Sequence, residues 1–359
     1  MAANSPPTPI PGVNRRNFLL GAGVVGAGAL IAGCTGNESS DDSTGSANVG
    51  QAAGDNAQPG KEVTIGFSAP AADHGWIAAI TKNAKAQAGQ YEDVKLEATE
   101  GTNDVNQQIS QVQTLIDRGV GVLVILPFDG AALTDIGKQS MAKGIPVVNL
   151  DRIFTSPLAY RTWIGGDNFG MGVSAGNYIA AYLKQKGVSN PVIVEIAGID
   201  NLPLTQQRSA GFKQSLEANG LKVTARQAAE FTVDSGQRVA ANLLQANPKI
   251  DALWNQDDDQ GLGVLAAIDQ AGRDEFLMVG GAGSKNAFND IKADNKVLKA
   301  TVLYSPSMSS SAISLARLIG QNKGMGDLVE HEVPASITTF SAVVTKENVD
   351  TYMPLGFES

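Results

Sequence analysis

The chain has 359 residues, 43% of them apolar and 18% charged, with 40 Gly, 15 Pro, two His and one Cys. At about 150 residues per domain this length supports about two globular bodies with full cores; the lone Cys excludes a disulfide framework, a four-Cys zinc site and Cys-x-x-Cys redox chemistry, and two His exclude a three-His catalytic zinc. The net charge of −9, from 27 basic and 36 acidic residues, has the wrong sign for neutralising phosphates and argues against nucleic acid as a partner.

Residues 1–13 are polar and Pro-rich, and Asn14-Arg15-Arg16-Asn17-Phe18-Leu19-Leu20 then opens an uncharged run of about 16 small and apolar residues that reaches Gly33. A spanning helix needs about 20 such residues, so the run reads as the apolar region of an export signal. It ends at Ile31-Ala32-Gly33-Cys34. Residues 1–33 thus resemble a twin-arginine signal joined to a lipobox, which implies lipidation of Cys34 and anchoring at the extracytoplasmic face of the cell membrane. Gly21-Ala22-Gly23-Val24-Val25-Gly26 matches a dinucleotide fingerprint in spelling. No strand precedes it and no acidic residue follows in a βαβ unit, so it carries no such mechanism. Loss of residues 1–33 leaves 25 basic against 36 acidic residues and a net charge of −11. Residues 34–61, rich in Gly, Ser, Asn, Asp and Ala, read as a flexible linker.

From residue 63 onward, β-rich runs recur at 63–69, 94–99, 121–126, 145–150, 191–197, 221–225, 252–256, 277–280 and 298–304. Each is followed by a segment with helical spacing of apolar residues: Ile77, Ile80, Ala84 and Ala88 share one face, as do Val105, Ile109, Val112, Leu115 and Ile116. Runs such as Val122-Leu123-Val124-Ile125-Leu126 are apolar without alternation, as strands covered on both faces are. The pattern predicts α/β architecture with two lobes, each a doubly wound parallel sheet.

In such sheets ligands sit beyond the carboxyl ends of the strands. The residues there are Asp73, His74, Gly75 and Trp76; Asp151 and Arg152; Asn201 and Arg208; Asp257, Asp258 and Asp259; and Tyr304. Arg and carboxylate groups can satisfy both sides of a hydroxyl while an aromatic face covers C–H surface, so this set suits a neutral molecule dense in hydroxyls. The spacing of the three acids fails the EF-hand pattern; Asp257 is expected in the pocket, with Asp258 and Asp259 solvated or capping the next helix.

Asn149-Leu150-Asp151-Arg152, Gly166-Asp167-Asn168, Arg208-Ser209-Ala210-Gly211-Phe212 and Trp254-Asn255-Gln256-Asp257-Asp258 resemble the ribose-binding branch of the type I periplasmic binding proteins, the solute receptors of ABC importers. The resemblance spans residues 63–344. It implies ligand contacts at His74, Trp76, Asp151, Arg152, Arg208, Phe231, Asp257, Ala282 and Tyr304, with Ile77 at a second aromatic position. It also implies a three-segment hinge crossing near 165–167, 304–306 and 333–336, so that residues 62–165 plus 306–333 form one lobe and 166–305 plus 334–359 the other. Where ribose binders place Asn, an aromatic, Asn, Asp and Gln, this chain has His74, Ile77, Asp257, Ala282 and Tyr304, which points to a ligand other than ribose: a smaller or acyclic polyol such as a tetritol or pentitol, or another monosaccharide. The implied partners are that ligand, an ABC permease with its ATPase, and the membrane through Cys34; no cofactor, no metal and a monomeric state are expected. The same binding step would serve a membrane sensor. An exported glycosidase using Asp151 and Asp257 has the required pair of carboxylates but no precedent on this fold, and a repressor would need a DNA-binding head where this chain has an export signal; no enzymatic activity is expected.

Overall fold

The computed structural model describes residues 56–326 and 332–359. The export signal, Cys34, the linker up to residue 55 and His331 lie outside the described residues. The chain runs β1 (Val63–Ser68), α1 (Gly75–Ala88), β2 (Val94–Ala98), α2 (Val105–Asp117), β3 (Val122–Ile125), α3 (Thr134–Ala142), β4 (Val147–Leu150) and β5 (Thr162–Gly166). It continues through α4 (Asn168–Gln185), β6 (Ile193–Ala197), α5 (Pro203–Ala218), β7 (Ala225–Ala228), α6 (Val233–Ala246), β8 (Ala252–Asn255) and α7 (Asp258–Ala271). After β9 (Leu277–Ala282), α8 (Lys285–Ala293) and β10 (Leu298–Leu303) come α9 (Met308–Gly320), β11 (Ser336–Thr339), β12 (Val343–Thr345) and α10 (Val349–Tyr352).

Local chemistry accounts for these elements. β3 and β4 are buried along their whole length, as strands covered on both faces must be. α2 starts where the Asp104 carboxylate accepts from Gln107 N, and it buries Val112, Leu115 and Ile116. α1 turns Ile77, Ile80, Ala84 and Ala88 into the core.

The strands form two six-stranded sheets, ordered β11-β5-β4-β3-β1-β2 and β12-β10-β9-β8-β6-β7. Every neighbouring pair is parallel except β10 with β12. The chain passes from the first sheet to the second between β5 and α4, returns between β10 and α9, and passes again between β11 and β12. The third passage therefore lies at residues 340–342 rather than 333–336, and the second lobe does not begin at 334. The cause is the edge of β5: Trp163 N donates to Ala335 O, Thr162 Oγ1 to Pro334 O, and Ser336–Thr339 pair with residues 163–166, so the segment covers an edge that would otherwise be bare.

Two further expectations are corrected. The run at 221–225 gives way to β7 at Ala225–Ala228, in register with Val194 through Ala197. Composition predicts a flexible linker through residue 61, yet Arg317 donates to Asn56 O and Gln58 O, and Asp93 accepts from Gly60 N. A buried ion pair thus holds its last residues on the first lobe.

One packing contact positions a side chain at the carboxyl ends of the second sheet. A Cβ at Gly172 of α4 would lie 2.0 Å from the Arg208 carbonyl oxygen of α5, so this glycine lets the two helices approach closely enough for Arg208 to reach the first turn of α4.

Candidate functional site

The carboxyl ends of both sheets face one cavity. The first lobe supplies His74, Trp76, Asp151 and Arg152; the second supplies Leu204, Arg208, Phe231, Asp257 and Ala282, with Tyr304 at the second passage. Ile77 is turned into the core, 1% exposed, and Asn201 and Asp73 are exposed outside the cavity. Leu204 is the lining residue that sequence reasoning missed; one apolar side chain in the first turn of α5 gave no sign of it.

Backbone geometry aims several of these groups. Asp151 (φ 59°), Phe231 (φ 64°) and Ala282 (φ 89°) are half of the six described non-glycine residues with positive φ. That conformation costs side-chain-bearing residues of order 1–3 kcal/mol and persists where surrounding structure dictates it. Here the surroundings are visible. Asp151 N donates to Ile164 O and its carbonyl accepts from Trp163 Nε1; Phe231 N donates to Gln260 Oε1; and the turn around Ala282 is clasped by Asp258.

Asp258 departs from the expected solvated or capping role. It is 4% exposed and its carboxylate accepts from Gly281 N, Gly283 N, Ser284 N and Thr301 Oγ1. Burial pushes its carboxyl up to about 7 even though these donors favour the charged form. Asp259 is not solvated either: 2% exposed, it accepts from Trp76 N of the opposite lobe. The helix-capping acid is Asp257 itself, accepting from Gln260 N. Burial, then repulsion from Asp259, raises the Asp257 carboxyl; burial likewise raises Asp259. Burial depresses His74, but its hydrogen bond to Asp73 and the charges of Asp257, Asp73 and Asp259 outweigh that and raise it.

The two cavity arginines are held but not saturated. Arg208 is 4% exposed, donates Nε to Asn168 Oδ1 and one terminal nitrogen to Gln256 O, and stacks 4.7 Å from the Tyr304 ring centroid and 5.9 Å from that of Phe231. Glu195 fixes Gln256 in turn by accepting from its amide. Arg152, 8% exposed, donates to Phe128 O, while its Nε is buried with no partner among the described residues. Burial lowers its pKa from the usual arginine value. Two arginines thus stand against two carboxylates, with Trp76, Phe231 and Leu204 supplying apolar surface. This arrangement can hold a neutral molecule bearing several hydroxyls. Among the described residues no group of three His, Cys, Asp or Glu side chains could hold a metal ion.

Two parallel α/β sheets, three interlobe passages and a buried polar cavity between strand ends define the solute-binding class of two-lobed receptors. The chain belongs to the periplasmic binding protein domain family, whose model matches residues 65–323, and within it to the type I, ribose-binding-like group. It is 32% identical over 248 residues to the ribose import binding protein of Bacillus subtilis, covering 69% of this chain and 78% of that protein. It is 27% identical over 263 residues to the xylitol-binding protein of Mycolicibacterium smegmatis, covering 72% of this chain and 70% of that one. Among solved structures, an ABC transporter solute-binding protein from Mycobacterium smegmatis with bound glycerol superimposes with a TM-score of 0.73 at 27% identity, covering 83% of this chain and 99% of its own. The family consists of substrate-binding proteins, not enzymes, and no described helix is long and apolar enough to cross a membrane.

Proposed function

We propose that this protein is an extracytoplasmic receptor that captures a small neutral polyhydroxylated ligand, a sugar alcohol or a monosaccharide, and delivers it to an ABC permease and its ATPase. The observation that carries this reading is the buried Arg152 Nε without a protein partner, placed beside Asp151 in a cavity whose formal charges balance. A buried donor left unpaired costs about 1–3 kcal/mol, and a ligand hydroxyl would satisfy it. Ligand contacts would come from His74, Trp76, Asp151, Arg152, Arg208, Phe231, Asp257 and Tyr304. The ribose, xylitol and glycerol in the names of its relatives support a ligand of this chemistry.

The binding step rests on the two-lobe construction. Groups from both lobes meet around the cavity, so a ligand that bridges them favours the closed arrangement by its difference in affinity for the closed and open states. Processing at Cys34 would tether the protein to the outer face of the membrane as a lipoprotein, with more than one acyl chain needed for stable anchoring. Mass spectrometry of the small molecules released by denaturing freshly purified protein tests the reading. A stoichiometric polyol or monosaccharide is expected; a stoichiometric charged ligand such as a phosphate ester or amino acid would overturn it.

A further inference from the structure

Tyr304 has a position no other cavity residue shares. It follows β10 of the second sheet, and its backbone N donates to Ala282 O, yet its hydroxyl reaches the first lobe. The hydroxyl donates to Asp151 Oδ1 at 2.5 Å and accepts from Gly166 N at 3.3 Å and Asn168 Nδ2 at 3.2 Å. The Tyr304 carbonyl accepts from Trp76 Nε1 at 2.9 Å. One edge of its ring lies directly on Gly166, where a Cβ would come within 2.1 Å of Tyr304 Cε2. The Arg208 guanidinium sits 4.7 Å from the ring centroid, and the Trp76 ring 5.8 Å away. The side chain is only 3% exposed, and its hydroxyl, one ring edge and one ring face are each engaged.

We infer that Tyr304 sets the size of the ligand: its locked ring closes the cavity at the hinge and restricts it to short polyols of about three to five carbons, excluding six-carbon chains and pyranose rings. This rests on the reading of the cavity as a polyol site. A ligand that reached toward the hinge would have to displace a ring held at both ends and on its edge. The Tyr304 hydroxyl also occupies one oxygen of Asp151, so that carboxylate offers the ligand its other oxygen. Gly166 belongs to the same device, because only a residue without a side chain lets the ring lie there.

Isothermal titration of the wild type, Tyr304→Phe and Tyr304→Gln against glycerol, a tetritol, a pentitol, a hexitol and a hexopyranose tests the inference. The wild type is expected to bind its best short polyol at least tenfold more tightly than the hexitol and the hexopyranose. Tyr304→Phe, which keeps the ring, is expected to weaken all binding but preserve the ranking, whereas Tyr304→Gln should reduce the discrimination at least tenfold. A wild type that binds hexitol or hexopyranose as tightly as tetritol overturns the inference, as does a folded Tyr304→Gln with the wild-type ranking. Should Tyr304→Gln fail to fold, the wild-type ranking together with Tyr304→Phe decides, a lost ranking in Tyr304→Phe counting against it. A wild type that binds no polyol or sugar in the series overturns the polyol reading itself and this inference with it.

Discussion

Buried arginines occur in two regions of the molecule, and they are used in opposite ways. In the first lobe Arg317, 2% exposed, spends every nitrogen on protein partners: Nε and one terminal nitrogen on Asp93 at 2.6 and 2.7 Å, and the terminal nitrogens again on Asn56 O and Gln58 O. Its face lies 4.5 Å from the Tyr91 ring centroid, and Asp93, held far below the usual carboxylate range first of all by Arg317, also accepts from Gln321. At the cavity Arg152 keeps a buried Nε without a partner, and Arg208 uses only part of its fork. A saturated buried ion pair is complete without a ligand; an unsaturated one leaves desolvation uncompensated until something binds. Burial and charge alone therefore do not separate these buried arginines, but the number of satisfied donors on each guanidinium does.

Arg317→Ala puts this contrast under the greatest strain. It strands Asp93 in a buried setting and should cost roughly 3–5 kcal/mol of stability, read from urea unfolding, while the folded fraction keeps its ligand affinity within twofold. The mirror image is Arg208→Ala. With hydrogen bonds to a charged group worth about 1.5–3 kcal/mol each, ligand affinity should fall at least a hundredfold while the urea midpoint moves less than in Arg317→Ala. If the two variants exchange these profiles, the distinction between the regions is wrong.

A smaller effect concerns the tether. Chains starting at residue 62 lack the Asn56 and Gln58 carbonyls that Arg317 uses, and should be less stable than chains starting at residue 56 by about 1 kcal/mol per lost bond. Equal urea midpoints would show that the docked segment contributes nothing.

A separate effect, on the ligand-free fold alone, is the dependence on pH. Asp257, Asp258 and Asp259 are raised chiefly by burial, so the folded state retains protons that the unfolded chain releases. Stability from these groups falls as pH rises from the ordinary Asp value of 3.8 through about 7, the folded value of Asp258. His74 acts in the same direction: with its folded pKa raised, its contribution is complete below 6.5 and is lost as pH climbs through the folded value. The depressed Asp93 contributes a loss only in strong acid. The ligand-free protein should therefore melt at lower temperature at pH 8 than at pH 5, and Asp257→Asn should flatten the difference. A melting temperature that rises over this interval would contradict the assignment.

The architecture is readable in the sequence wherever its chemistry is local. The apolar runs at β3 and β4, the faces of α1 and α2, and the polar residues following the strands all announce themselves. What escapes depends on distant partners. β5 contains Gly165 and Gly166 and is missing from the β-rich runs of the sequence, and it becomes a strand through pairing with Val148–Leu150 on one side and Ser336–Thr339 on the other. Its cover, β11, is a half-exposed edge with little apolar signal of its own, which is why the third passage falls later than the sequence suggests. Asp258 reads as solvated because three adjacent acids usually are, and the backbone donors that bury it come from residues 281–284. Likewise, nothing in the sequence around residue 304 shows that the tyrosine crosses to Asp151.

If the unsatisfied arginine marks a site for a neutral polyol or sugar, removing it must remove binding. Isothermal titration of wild-type and Arg152→Ala protein against pentoses, tetritols and pentitols tests this most directly, with circular dichroism to verify that both are folded. One-to-one binding of at least one member to the wild type is expected, lost in a folded Arg152→Ala. Absence of binding to every member at millimolar concentration, or equal affinity in the two proteins, would contradict the assignment of this cavity.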